Sequence, residues 1–203
     1  MEKGMLLVIS GPAGSGKSTV RQRLISQHTN FSYSVSATTR KPRPGEVNGV
    51  DYHFLTKEEF LSRAERGEFL EYTEYAGEYY GTLVSEVVSK LENGIDIVLE
   101  IEVNGALAVK ERFSDAIMVM LVAPSYSELE RRLRDRGTET EEKIMARLAK
   151  ARREMNFFTR YDYYVINKFG CVEECAEKLH CIVTSEKMKT KNNPDYATRF
   201  LNT

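Results

Sequence analysis

The sequence predicts an α/β fold: a parallel sheet covered by helices on both faces, with an inserted mixed α/β lobe and a short lid. Three observations carry this expectation. Short apolar runs bounded by turn residues alternate with segments of helical periodicity, the pattern of a buried parallel sheet with helical crossovers. The first run leads directly into a glycine-rich turn and then a helical segment. A stretch rich in Tyr, Thr, Gly and charge, from residue 33 to 92, interrupts the alternation.

The elements follow in order. Met5 to Ser10 is an apolar run stopped by Gly11-Pro12, a buried strand. Ser18 to about Gln27 carries apolar and polar positions at helical spacing. Ile95 to Ile101 is a second buried strand, followed by a helical pattern from Gly105 to Phe113, and Ile117 to Val122 is a third, ended by Ala123-Pro124. Ser125 and Glu128 have the spacing of a capping box and open a helix that places Leu129 and Leu133 on one face. A charged turn, Asp135 to Glu142, separates it from a long helical segment ending near Phe158. Tyr163 to Ile166 is a last short strand and Val172 to Val183 a closing helix. Inside the interruption, Tyr52-His53-Phe54 and Phe69 to Tyr75 are strand-like. The expected organisation is therefore a core of residues 1–32 and 93–185 with a lid at about 132–147, an inserted lobe at 33–92, and a polar, poorly ordered tail at 186–203.

Composition sets outer bounds. A chain of 203 residues suits one compact domain able to bury roughly 70% of its unfolded surface. Apolar residues at 41% and charged residues at 29% are ordinary for a globular protein and exclude wholesale disorder. Lys plus Arg (29) nearly balance Asp plus Glu (30), which leaves no broad electrostatic reason to bind nucleic acid or a membrane surface. No apolar run approaches the ~18 residues of a membrane span, and the N-terminal run lacks a cleavage region, so a cytoplasmic location is expected. Cys171, Cys175 and Cys181 are an odd set without paired spacing, read as structural thiols of a reducing compartment. His28, His53 and His180 are scattered and read as structural. Oligomeric state is not legible.

Gly11-Pro12-Ala13-Gly14-Ser15-Gly16-Lys17-Ser18-Thr19 matches G-x-x-x-x-G-K-[ST] in full. Glycines permit backbone conformations that turn successive N–H groups toward a phosphate, and the helix that follows adds its positive dipole end. Lys17 supplies charge for the β- and γ-phosphates, and the Ser18 hydroxyl is placed to ligate Mg²⁺. This motif points to purine nucleotide binding without separating kinase, ATPase and GTPase. Arg40 and Arg43, beside prolines and hydroxyl-bearing residues, suit an anion clamp, although such a segment can equally be a solvated loop.

Further runs decide between these readings. Arg40-x-Pro-Arg43-x-Gly-Glu-x-Asn-Gly49-x-Asp51-Tyr52-x-Phe54, Gly67-Glu68-Phe69-Leu70-Glu71, Gly77-x-Tyr79-Tyr80-Gly81-Thr82, Leu99-Glu100-Ile101-Glu102-Val103-x-Gly105-Ala106 and Arg132-Leu133-x-x-Arg136-Gly137-Thr138-Glu139 together resemble the guanylate kinase family, in one order and spacing from about Leu6 to Val183. The resemblance implies a P-loop kinase core that phosphorylates GMP, and dGMP as well, with ATP and Mg²⁺. It implies that Arg40, Arg43, Tyr52 and Tyr80 hold the GMP phosphate. It implies that Ser36, Glu71, Thr82 and Glu102 read guanine, that Arg132, Arg136 and Arg147 close over the transferring phosphoryl group, and that Asn167 contacts adenine. Glu102 and Asn104 stand where the family usually has Asp and Gln, and Lys168-Phe169 where two aspartates often follow.

The chemistry agrees with a guanine reader. The guanine edge offers N1–H and N2–H donors to a carboxylate such as Glu71, whereas adenine leaves that carboxylate poorly paired. A phosphate acceptor is mostly deprotonated near neutrality, so no general base is required, and catalysis is positioning plus electrostatic stabilisation. Other readings stand beside this one: a monophosphate kinase with another acceptor, a non-catalytic module of the same fold, and a P-loop GTPase, for which no Asn-Lys-x-Asp segment is found.

Overall fold

The computed structural model describes residues 3–135, 137 and 140–202. Its centre is a five-stranded, all-parallel sheet of β1 (Leu6–Ser10), β2 (Phe31–Tyr33), β7 (Asp96–Glu100), β8 (Ile117–Val122) and β9 (Tyr163–Ile166), in the order β2-β7-β1-β8-β9. Every residue of β1 is buried, because alternate side chains enter different cores on the two faces. Leu7 and Ile9 pack with Val20 and Leu24 of α1 (Lys17–Gln27) and with Leu179 and Val183 of α7 (Val172–Lys187). Leu6 and Val8 pack on the other face with Val87 and Leu91 of α3 (Val84–Glu92) and with Ala106 and Val109 of α4 (Val103–Arg112). Both faces being covered is why β1, β7 and β8 read as apolar runs.

A second, four-stranded sheet comprises β3 (Ser36–Thr38), β4 (His53–Phe54), β5 (Phe69–Tyr75) and β6 (Glu78–Leu83), ordered β4-β3-β6-β5. Its small core of Ala37, Phe60, Phe69 and Leu83 is covered by α2 (Lys57–Glu65), whose Phe60 ring stacks on Phe69 with centroids 4.2 Å apart. Thr56 caps α2 by accepting the Glu59 N–H at 3.1 Å. β5 and β6 turn through Ala76 and Gly77, both at positive φ, as a two-residue hairpin with right-handed strand twist requires. β2 belongs to the main sheet and α3 packs on it, so the separate sheet spans 36–83 within the interruption read from sequence.

α5 (Tyr126–Asp135) and α6 (Glu141–Met155) pack through Leu129, Leu133, Ile144 and Leu148. Half of the expected capping box forms: Ser125 Oγ accepts the Glu128 N–H at 3.1 Å. The Glu128 carboxylate turns instead to Arg131 and Arg132, whose hydrogen bonds hold its pKa at about 2. The tail departs from expectation. α7 runs past Val183 to Lys187, a turn follows at Thr190–Asn192, and α8 spans Tyr196–Leu201. Two polar anchors explain the start of this extension. Lys187 Nζ lies 2.7 Å from both carboxylate oxygens of Asp96, a buried residue that also accepts the Met5 N–H. The Tyr163 hydroxyl donates to Glu186. Phe200 and Leu201, at the far end, are exposed.

Candidate active site

The loop after β1 sits at the carboxyl edge of the central strand, where open α/β sheets place ligands. Gly11 (φ 137°) and Gly16 (φ 91°) are required here for two reasons, conformation and space. A Cβ at Gly11 would lie 2.2 Å from the Leu121 carbonyl oxygen, and one at Gly16 2.3 Å from Asn167 Nδ2. Lys17 opens α1 and folds back across the loop, its ammonium donating to the carbonyls of Gly11 (2.6 Å) and Pro12 (3.2 Å). Burial pushes its pKa down, and the carboxylates of Glu100, Glu154 and Glu102 pull it back up.

Ser18 Oγ donates to Glu100 Oε1 at 2.6 Å, while Arg21 Nε lies 3.1 Å from Glu100 Oε2. Glu100 closes β7 directly beside Ile9 of β1. It was not among the candidate residues read from sequence. The signal was present: an acidic residue ending an apolar strand is where P-loop folds carry a metal-directed carboxylate. The pairing of hydroxyl and carboxylate oxygens is the hard-donor set that suits Mg²⁺.

Asn167, which the resemblance assigns to adenine, lies under the phosphate loop. Its side chain is buried, donating to the Ser15 carbonyl at 2.8 Å and standing 3.6 Å from Cys175 Sγ. It braces the loop from beneath. Its own carbonyl accepts from Arg132 Nη2 at 2.8 Å, and Arg132 Nε donates to Glu128 at 2.8 Å. Arg132 therefore ties α5 to the strand end beside the loop. Arg147 lies on the exposed side of α6, and Arg136 lies outside the described residues.

Between the two sheets is a cavity of about 500 Å³ lined by Ser36, Glu71, Tyr80, Glu100 and Glu102 among others, within the size range of small-ligand sites. Antiparallel pairing sets Thr82 opposite both Ser36 and Glu71. The buried Thr82 hydroxyl donates to Glu71 Oε1 at 2.8 Å. Burial raises the Glu71 pKa, an effect the Thr82 hydrogen bonds partly offset. Gly105 lets α4 approach closely, since a Cβ there would stand 3.2 Å from Glu71 Oε2. Glu102 is less committed: its side chain is largely exposed and accepts from Lys150 at 2.7 Å.

Arg40, just after β3, and Tyr52, just before β4, come together with Tyr80 of β6. The Arg40 guanidinium lies 5.4 Å from the Tyr52 ring centroid, and the Tyr52 and Tyr80 rings are 6.3 Å apart. Glu46 accepts from Arg40 Nη2 (2.8 Å) and Nη1 (3.0 Å) and from the Arg43 backbone N–H at 2.7 Å. The hydrogen bond from Arg40 is the main cause of the lowered Glu46 pKa. The Arg40 guanidinium is thus held in place by a carboxylate. The Arg43 side chain is exposed.

Among the described residues, no helix is long and apolar enough to cross a membrane. The guanylate kinase family profile matches residues 3–186. The guanylate kinase of Lactococcus lactis is 49% identical over 185 residues, covering 91% of this chain and 89% of that protein. That of Clostridium tetani is 45% identical over 195 residues, covering 96% and 92%. A crystal structure of guanylate kinase from Anaplasma phagocytophilum superposes with a TM-score of 0.70 at 32% identity, covering 94% of this chain and 89% of that one. Identity at this level runs along both chains, and the loop, its glutamate partner and the cavity residues all fall inside the matched span; the chain belongs to the guanylate kinase family.

Proposed function

We propose that this protein transfers the γ-phosphoryl group of ATP to GMP, giving GDP and ADP by direct in-line displacement. The observation that carries the reading is Glu100, which lines the cavity holding Glu71 and also accepts from Ser18 of the phosphate loop. One residue thus touches the donor side and the acceptor side, so a nucleotide in each would bring its phosphates together.

In this reading the loop N–H groups and Lys17 cradle the β- and γ-phosphates of ATP, and the Lys17 ammonium leaves the loop carbonyls to do so. Ser18 and Glu100 would hold Mg²⁺, which supplies charge neutralisation on the phosphates. Arg40, with Arg43, Tyr52 and Tyr80, grips the GMP phosphate, and Glu46 keeps the guanidinium oriented. Glu71, Thr82 and Ser36 read the guanine edge, and Glu102 contributes once Lys150 releases it. Arg132, Arg136 and Arg147 neutralise charge in flight, and Asn167 keeps the loop in shape. The acceptor is a phosphate oxygen already ionised near neutrality, so every named residue binds, orients or neutralises, and none removes a proton. The same contacts admit dGMP, since none involves the sugar.

A coupled ADP-release assay with ATP and GMP, AMP, UMP or CMP tests the reading. GMP is expected to support turnover at least about 100-fold better in kcat/KM than the others, on the scale of a site built around buried polar groups. Equal rates for all four acceptors would overturn it.

A further inference from the structure

At the end of α1 remote from the phosphate loop, about 16 Å along the helix, two histidines and a carboxylate converge. His28 caps α1, and its ring stacks on that of His180 in α7, with centroids 3.8 Å apart and planes 5° from parallel. Glu177 lies one turn before His180 on the same helix face, with a carboxylate oxygen 3.3 Å from His28 Nε2 but without the alignment of a hydrogen bond. His28 Nε2 and His180 Nδ1 are both buried from solvent and make no hydrogen bond among the described residues. One ligand atom from each of the three side chains lies within 4.8 Å of the others. Phe31 stands edge-on to both rings, at 6.2 and 6.0 Å, and closes the apolar side.

Buried polar nitrogens ordinarily find a partner, and two on stacked rings with a carboxylate beside them have a shared one available in a cation. We propose that His28, Glu177 and His180 form a binding site for one divalent transition-metal ion of the Zn²⁺ type, with a fourth position open to solvent. The Glu-x-x-His spacing on one helix face is one that metal-carrying bundles use. Two imidazoles and one carboxylate select Zn²⁺ and its neighbours over Mg²⁺ and Ca²⁺, which take all-oxygen sets. A ligating ring points its lone pair at the ion in its own plane. Two parallel stacked rings cannot both do so, and capture turns one of them and opens the stack. His28, with its side chain 21% exposed, has the room. The ion would clamp the end of α1 to α7.

The test uses the full chain, metal-stripped and free of nucleotide, with Cys171→Ser and Cys181→Ser removing the more accessible thiols as competing ligands. Zn²⁺ is titrated by calorimetry and by thermal denaturation, with Mg²⁺ as the counter-probe. One Zn²⁺ per chain is expected, with Tm raised by about 5–10 °C at a hundredfold excess over Kd, and no comparable shift from Mg²⁺. His180→Gln and Glu177→Gln, both partly solvent-facing, should each weaken Zn²⁺ at least about tenfold, since even indirect partners of metal ligands carry that much. His28→Gln gives an independent arm should His180→Gln fail to fold. Absence of stoichiometric Zn²⁺ binding, or affinity unchanged in these variants, would overturn the site.

Discussion

Changing Glu71 to Gln replaces one carboxylate oxygen by an NH₂ at nearly constant volume. Glu71 Oε1 already accepts from Thr82 at 2.8 Å, and the amide oxygen can keep that bond. The NH₂ then occupies the position of Oε2, which faces Gly105 and the cavity. Guanine presents two donors along the edge that Glu71 would read, so at least one meets another donor, and charge assistance is lost. A hydrogen bond to a charged group contributes about 1.5–3 kcal/mol. Adenine presents an N1 acceptor to the new NH₂ and loses nothing. Discrimination for GMP over AMP should therefore fall by about 2 kcal/mol or more, roughly 30-fold in the ratio of kcat/KM values. The assay is steady-state kinetics with each acceptor at saturating ATP. Since Arg40 and the phosphate loop are untouched, KM for ATP should hold. Thr82→Val removes only the supporting hydroxyl and should cost less. An unchanged GMP/AMP ratio in Glu71→Gln would refute the assignment of guanine reading to this residue.

The same substitution should act on stability in the opposite sense. Burial raises the Glu71 pKa in the folded state, so the ionised group subtracts stability, and the loss sets in as pH rises from the ordinary carboxylate value through the raised one. Glu71→Gln should melt above wild type at pH 7, with the gap closing toward pH 4; a lower Tm at pH 7 would contradict this. Lys17→Ala should cost about 3 kcal/mol or more of transition-state stabilisation in a protein that still folds, read as kcat/KM; near-normal activity would exclude the lysine role. Lys187→Ala strips an ammonium from buried Asp96, which keeps its Met5 and Asn30 partners. A cost of about 2 kcal/mol, or a Tm about 4–8 °C lower, is expected. Cutting the chain after Ser185 should destabilise it at least as much, whereas cutting after Asn193 should not, because the residues beyond it are exposed.

Legibility tracked burial. β1, β7 and β8 stood out because parallel strands buried on both faces carry apolar runs, and β9, an edge strand with Tyr164 and Ile166 exposed, still falls on Tyr163–Ile166 as read. β3 and β6 did not stand out: three residues, Ser36–Thr38, are too few to show a period, and Glu78–Leu83 is only half apolar. α2 buries a single apolar residue, Phe60, and so carries no stripe. At the site, the loop was legible because its chemistry is local, with glycine, lysine and hydroxyl adjacent in sequence. Contacts between distant segments were not. The Ser18–Glu100 and Asn167–Ser15 bonds span 82 and 152 residues, and nothing at either end announces its partner. The stack of His28 on His180 was hidden for the same reason. The tail misled in the other direction: its anchors, Glu186 and Lys187, look like solvated charges until the fold supplies Tyr163 and Asp96.

The central claim is transfer of one phosphoryl group between two nucleotides held on either side of Glu100. ATP carrying isotope in its γ-phosphate, mixed with the protein, Mg²⁺ and GMP, tests it directly. The label is predicted to appear in the β-phosphate of GDP in one-to-one proportion to ADP formed, with AMP in place of GMP yielding little of either. Label released as inorganic phosphate, or ADP formed at the same rate without GMP, would contradict the account.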